Sequence, residues 1–403
     1  MREGIAGGKL GGIGRLTLVL GAIMALGPLA LDMYLPALPM LEAEFAADPA
    51  RVQHTVSAYL FGMAMGQLAM GPLSDRFGRK PPLLGGLSVF VAASLGCALA
   101  QNIGSFVLLR FAQALGGASG MVLIRAMIRD RFDEIQSARV LSLMMLVMGA
   151  APILAPLAGG WLLVVGSWHW IFGFLVAFAA LCAVLVYFLL EETHPAHLRS
   201  VSLFGALKSA APLFGDRRFY GPVIVFIAPF GAFFAYLAAA PFVYIRYFGV
   251  PAEQFGWYFG AGAASFITVS QVNRRMVARY GVRRVLGWGV YWLGAATTLL
   301  LACAASGLLG FWGIFIPIFL MVGSIGFIAS NATSVAMAPF GERAGAASSV
   351  LGATQSAFGV LASAAVGWVG NRGPVPMAVV IFACALTAFL AYALLVRSGG
   401  TRK

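Results

Sequence analysis

Long apolar runs dominate the chain, each of about membrane-spanning length and each closed by a short polar break. They fall at 14–38, 52–73, 80–100, 103–125, 139–163, 168–190, 219–246, 254–275, 283–304, 308–333, 343–369 and 375–396. A bilayer core is crossed by roughly 20 apolar residues in helical form, and lipid offers no partner to unpaired backbone groups. The pattern therefore predicts an all-α integral membrane protein with 12 transmembrane helices. The longest hydrophilic stretch, Glu191 to Arg218, divides them into two six-helix bundles, at residues 1–190 and 219–403, joined by a linker at 191–218. The run at 14–38 is too long for a signal peptide and has no A-x-A cleavage site, so it counts as helix 1.

Composition excludes the soluble classes. Of 403 residues, 61% are hydrophobic and 10% charged, with mean hydropathy +0.90, against about 25% charged in a soluble domain. The net charge of +13 would suggest nucleic acid in a soluble protein. Here its distribution reads as topology. With a cytoplasmic N-terminus, 23 of the 27 basic residues fall on the inner side; Arg51, Arg246 and Arg372 lie outside, and Arg110 lies within a span. That bias places both termini in the cytoplasm.

The four cysteines (Cys97, Cys182, Cys303, Cys384) are isolated inside spans, where the expectation is packing without disulfide or metal. Glu191, Glu192, His194 and His197 in the linker lack a further ligand and read as a solvated segment. His54 and His169 lie far from them and from each other, so no catalytic cluster marks a membrane enzyme. No G-x-x-x-x-G-K-[ST] occurs, so no nucleotide cofactor is expected; the proton is the expected coupling ion.

Two charges stand apart. Asp32 is the only one of 14 acidic residues well inside a span, and Arg110 is its only basic counterpart. A charge at that depth is costly unless paired or facing water, which makes function the default reading. Counted from the helix midpoints at 1.5 Å per residue, Asp32 lies roughly 9 Å and Arg110 roughly 6 Å toward the outer side. Asp32 is the expected proton-binding carboxyl, with Arg110 beside it as the tuning charge. Gln113 shares the Arg110 face one turn on. Tyr59, Met63, Gly66, Gln67 and Met70 form a stripe along helix 2, and Tyr34 and Tyr236 are further cavity candidates.

Between helices 2 and 3 the chain reads Gly71-Pro-Leu-Ser-Asp75-Arg76-Phe-Gly78-Arg79-Lys80-Pro-Pro-Leu83. Gly78 permits a tight reversal, Asp75 can face the positive end of another helix, and Arg76, Arg79 and Lys80 supply ion pairs. A weaker echo, Arg279-Tyr-Gly-Val-Arg-Arg284, follows helix 8, the internal repeat expected of a secondary transporter. Helix 5 carries Pro152, Pro156, Gly159 and Gly160, with two prolines on one face and a close-packing glycine pair.

The helix 2–3 stretch resembles the signature of the major facilitator superfamily. Helix 5 is similar to that family's antiporter signature, with Ala155 in place of a glycine. Leu31-Asp-Met-Tyr-Leu-Pro-Ala-Leu-Pro39, Arg110-Phe-Ala-Gln-Ala-Leu-Gly116, Arg125-Ala-Met-Ile-Arg-Asp130, Ala240-Pro-Phe-Val243 and Ala344-Gly-Ala-Ala-Ser-Ser349 resemble its Bcr/CflA drug-resistance branch. The resemblance implies a monomeric inner-membrane exporter of small amphipathic drugs or metabolites, exchanging them for protons by alternating access. It also implies that Asp75 and Arg79 form a conformational latch. Some related exporters carry a second acid in helix 1 where this chain has Met24, which points to neutral or zwitterionic substrates. An uptake symporter is the alternative within transport, and a polytopic membrane enzyme the alternative outside it.

Overall fold

The computed structural model describes residues 6–131, 134–195, 217–339, 344–369 and 373–397. Twelve long helices occupy them: α1 Ala6–Asp32, α2 Pro49–Phe77, α3 Lys80–Ala98, α4 Ile103–Arg131, α5 Glu134–Val165 and α6 His169–Leu189, then α7 Arg217–Pro241, α8 Ala252–Tyr280, α9 Val282–Ser306, α10 Trp312–Met337, α11 Ala344–Val369 and α12 Pro374–Ala391. Each apolar run of the sequence is one of these helices. His197 and most of the linker, with Arg372 and the chain ends, lie outside the described residues.

Punctuation in the sequence sets the ends. The Asp48 carboxylate caps α2 by accepting from the Ala50 N–H at 3.0 Å. Gly78 closes α2 at φ 91° and Gly281 closes α8 at φ 80°, conformations that side chains rarely adopt. Helix 1 departs from its predicted span. It stops at Asp32, and Pro36 and Pro39 turn the chain through a 3₁₀ turn (Leu35–Ala37) into a short helix (Leu38–Glu44). Beyond Pro241, α7 widens into a π-helical segment, Phe242–Tyr247.

Packing repeats with a six-helix period. In the first half α4 packs on α2 and α3, α6 on α3, and α1 on α4, α5 and α6. In the second half α10 packs on α8 and α9, α12 on α9, and α7 on α10, α11 and α12. The halves join along two seams, α5 against α8 and α2 against α11. Among the described residues nine helices are long and apolar enough to cross a membrane, and α2 and α8 are not among them. Both line the seams, where a helix face meets protein instead of lipid.

Small residues make the seams close, as association without a hydrophobic drive between helices requires. A Cβ at Gly256 would stand 2.6 Å from the Leu157 backbone nitrogen, and one at Gly160 2.8 Å from the Ala252 carbonyl oxygen. Within the first half, a Cβ at Gly159 would stand 1.8 Å from the Met33 carbonyl oxygen. Gly159→Ala is therefore expected to lower stability by about 1–3 kcal/mol through overpacking. Gly173→Ala, which meets open space, should be neutral. Thermal unfolding of both variants in detergent checks this, and equal melting temperatures would refute the contact.

Candidate functional site

Arg110, on α4, is fully buried. Its guanidinium carbon lies 3.9 Å from the centre of the Tyr34 ring, 4.3 Å from Tyr59 and 5.9 Å from Phe172. Nη1 donates to Gln113 Oε1, Gln113 Nε2 donates to Ser94 Oγ at 2.7 Å, and Ser94 Oγ donates to the Phe90 carbonyl. The rings are fixed too. Tyr59 O–H donates to the Gly27 carbonyl at 3.0 Å. Thr55 donates to the Val52 carbonyl, which leaves Tyr34 O–H to donate to Thr55 Oγ1 at 3.0 Å. Nε and Nη2 of Arg110 remain without an acceptor among the described residues.

Asp32 ends α1 and is 5% exposed. No ion pair joins it to Arg110 among the described residues. The tyrosine rings occupy the guanidinium faces instead, and the charges of Arg110 and Asp32 both bear on the Tyr59 hydroxyl. Gly159 nests against the carbonyl of Met33, the residue after Asp32, and its neighbour Gly160 faces α8. Helix 5 thus touches the break in α1 with one glycine and the other half with the next. Pro152 and Pro156 sit within α5 without ending it.

The helix 2 stripe divides. Met63 packs near Gly27 of α1, and Gly66 against Leu115 and Ala118 of α4. Gln67 turns toward Gly352 of α11. Tyr236 lies in an aromatic cluster of the second half, stacked on Phe259 at 5.8 Å and 6.2 Å from Tyr244. It does not join the Arg110 group.

The α2–α3 turn is a compact ionic cluster. Arg79 Nη1 donates to Asp75 Oδ1 and Ser74 Oγ, each at 2.6 Å, and Nε donates to Asp130 Oδ2 at 3.0 Å. Burial works against the Arg79 charge, but hydrogen bonds and charge from Asp130 and Asp75 outweigh it and raise its pKa above the ordinary value. Arg76 is exposed over Phe77, and Lys80 reaches the Tyr187 carbonyl, so neither forms an ion pair in the cluster. Gly71 meets open space; its carbonyl accepts from Ser74.

Three features escaped the sequence reading. Glu192, read as solvated, accepts from the backbone N–H groups of Arg79 (2.8 Å) and Lys80 (3.2 Å), capping α3 from the far end of α6. Asn273 of α8 donates to Ser330 and accepts from Asn331 of α10, an uncharged tie where the first half uses charge. At the opposite end of the bundle Arg246 joins Glu42 at 2.5 and 2.7 Å, and Ser57 shares a 2.8 Å hydrogen bond with Ser363. Both link the halves. A pair of asparagines in apolar helices was the visible signal for the second feature; the others depend on contacts between distant segments.

Twelve helices in two repeated sets, with a caged cation and a lone carboxyl in the first, define a polytopic membrane protein, and its relatives identify it as a transporter and not an enzyme. The family model described as Major Facilitator Superfamily matches residues 20–363. The chain is 33% identical over 378 residues to the bicyclomycin resistance protein homolog of Haemophilus influenzae, covering 93% of this chain and 94% of that one. It is 31% identical over 335 residues to multidrug resistance protein MdtL of Klebsiella pneumoniae, covering 83% of each. The xylose transporter XylE of Escherichia coli, in a partially occluded inward-open conformation, superposes with TM-score 0.72 at 14% identity, over 95% of this chain and 98% of that one. This chain belongs to the major facilitator superfamily.

Two outcomes follow from the geometry. Arg110→Lys keeps the charge but loses the flat stacking between rings, worth about 2 kcal/mol per desolvated contact; a lower melting temperature with loss of transport is expected, and wild-type behaviour would refute the cage. For Glu192, burial pushes the carboxyl up, but the backbone donors His194, Arg79, Lys80 and Thr193 together hold it below the usual carboxylate range. Its contribution to stability is therefore complete above the unfolded value of about 4.3 and lost as pH falls through the lower folded value. Melting curves of Glu192→Gln should lack that acid-side decline.

Proposed function

We propose that this protein is a proton-driven antiporter that exports small amphipathic drugs or metabolites across the bacterial inner membrane by alternating access. Both termini face the cytoplasm and one chain suffices. The relatives named for bicyclomycin and multidrug resistance support the substrate class. The charge bias along the sequence supports the orientation. On that orientation the Glu42–Arg246 and Ser57–Ser363 contacts seal the outer end, and substrate enters from the cytoplasm.

The observation that carries this reading is Asp32: nearly buried, with no ion pair, at the point where α1 breaks. An ionised carboxyl there bears an uncompensated desolvation cost. A proton removes that cost, and water or substrate admitted when the halves part can replace it. Because Gly159 and Gly160 join the α1 break to α8, a shift at Asp32 is felt at the seam between the halves. Arg110, held by its rings and Gln113, keeps a fixed positive charge nearby while two of its nitrogens, Nε and Nη2, stay open to an acceptor. With Met24 in the deeper position, exchange of neutral or zwitterionic compounds fits a single carboxyl.

Everted vesicles test the proposal. With wild-type protein, adding drug should dissipate the inward proton gradient; with Asp32→Asn it should not, and an efflux-deficient host should lose resistance in parallel. Intact proton-coupled transport by Asp32→Asn would overturn the assignment.

A further inference from the structure

Between α9 and α12, on the lipid-facing side of the second half, lies a cavity of about 300 Å³. Gly294, Thr298, Phe382, Leu386 and Phe389 line it, with Tyr291 at one end. The gap exists where a side chain is missing: a Cβ at Gly294 would meet nothing within 4 Å. The wall is apolar in effect, because Thr297 and Thr298 spend their hydroxyls on the carbonyls of Leu293 and Gly294 in their own helix.

Its depth in the bilayer is marked by aromatic rings at the α8–α9 turn, in the first turns of α9 and just past α12. Tyr280 lies 5.0 Å from Trp288, and Tyr291 6.2 Å from Tyr392. Tyrosine and tryptophan gather at the level of the headgroups. At the same level stand two exposed arginines. Arg397 Nη1 donates to the Tyr291 hydroxyl at 3.3 Å, and the charges of Arg283 and Arg397 both bear on the Tyr392 hydroxyl. Neither arginine has a carboxylate partner among the described residues, and Glu342 is the only acidic residue from Gly281 to the end of the chain.

We propose that this groove is a binding site for an anionic phospholipid, one acyl chain lying over Gly294 and the phosphate held between Arg283 and Arg397. An apolar slot open to hydrocarbon takes a chain, and two unneutralised guanidinium groups at its polar mouth take an anion. The groove lies away from both seams between the halves, so its occupant comes from the bilayer and not from the transport path.

Native mass spectrometry of the purified full chain, titrated with phosphatidylglycerol or phosphatidylcholine of matched chains, reads the site. Wild type should prefer phosphatidylglycerol by roughly tenfold. Arg283→Gln with Arg397→Gln should bring the two lipids level. Gly294→Leu, which grows into open space, should lose one bound lipid of either kind, whereas Gly173→Leu on the lipid face of α6 should lose none. Equal affinities in wild type, a preference that survives the double variant, or full occupancy in Gly294→Leu would each overturn the site. Displacement of the bound lipid by a transported drug would assign the groove to substrate and overturn it equally.

Discussion

A guanidinium placed in the interior of a membrane protein is costly unless its charge is held by its surroundings, and the first half of this molecule is organised around that demand. Arg110 comes from α4. Its faces are covered by Tyr34 from the break after α1, Tyr59 from α2 and Phe172 from α6, and Gln113 hands its hydrogen bond on to Ser94 of α3. One cation thus fixes the relative positions of five of the six helices. Aromatic faces attract a cation without quenching it as a carboxylate would. The charge therefore persists, and so does the capacity of its two free donors.

The absence of an Arg110–Asp32 pair changes how the two charges relate. A buried ion pair is a lock whose breaking costs several kcal/mol. Here each group is held by its own surroundings, and the Tyr59 ring lies in the fields of both. Asp32 is left with mechanical connections in place of an electrostatic one. It sits where proline chemistry interrupts α1, and the carbonyl of the next residue, Met33, rests in the slot left by Gly159. A backbone-on-backbone contact of this kind transmits displacement well, because neither side has a rotamer with which to absorb it.

Helix number, repeat and the two intramembrane charges were legible because lipid imposes a simple rule: length and polarity alone decide what crosses. The turn after α2 was legible too, since Gly78 adopts a backbone angle other residues avoid. What could not be read were distances between segments far apart in sequence. Depth along a helix says nothing of rotation about it, so the Tyr34 and Tyr59 rings that cover the Arg110 guanidinium were not legible. Glu192 looked solvated because nothing local betrays that the start of α3, 112 residues earlier in the chain, lies within reach of its carboxylate. The helix 2 stripe has a period that fits both cavity and packing, and its members divide between contacts to α1, α4 and α11.

The cap supplied by Glu192 has a geometric corollary. Its carboxylate engages the first amides of α3 only if α6 ends at the right height and on the right side. The span of α6 is thereby gauged against its neighbour, and one residue added or removed would swing that carboxylate by a quarter turn or more and leave the amides bare. Thinner or thicker membranes must then be met by tilting the whole bundle, because this helix cannot be trimmed by itself.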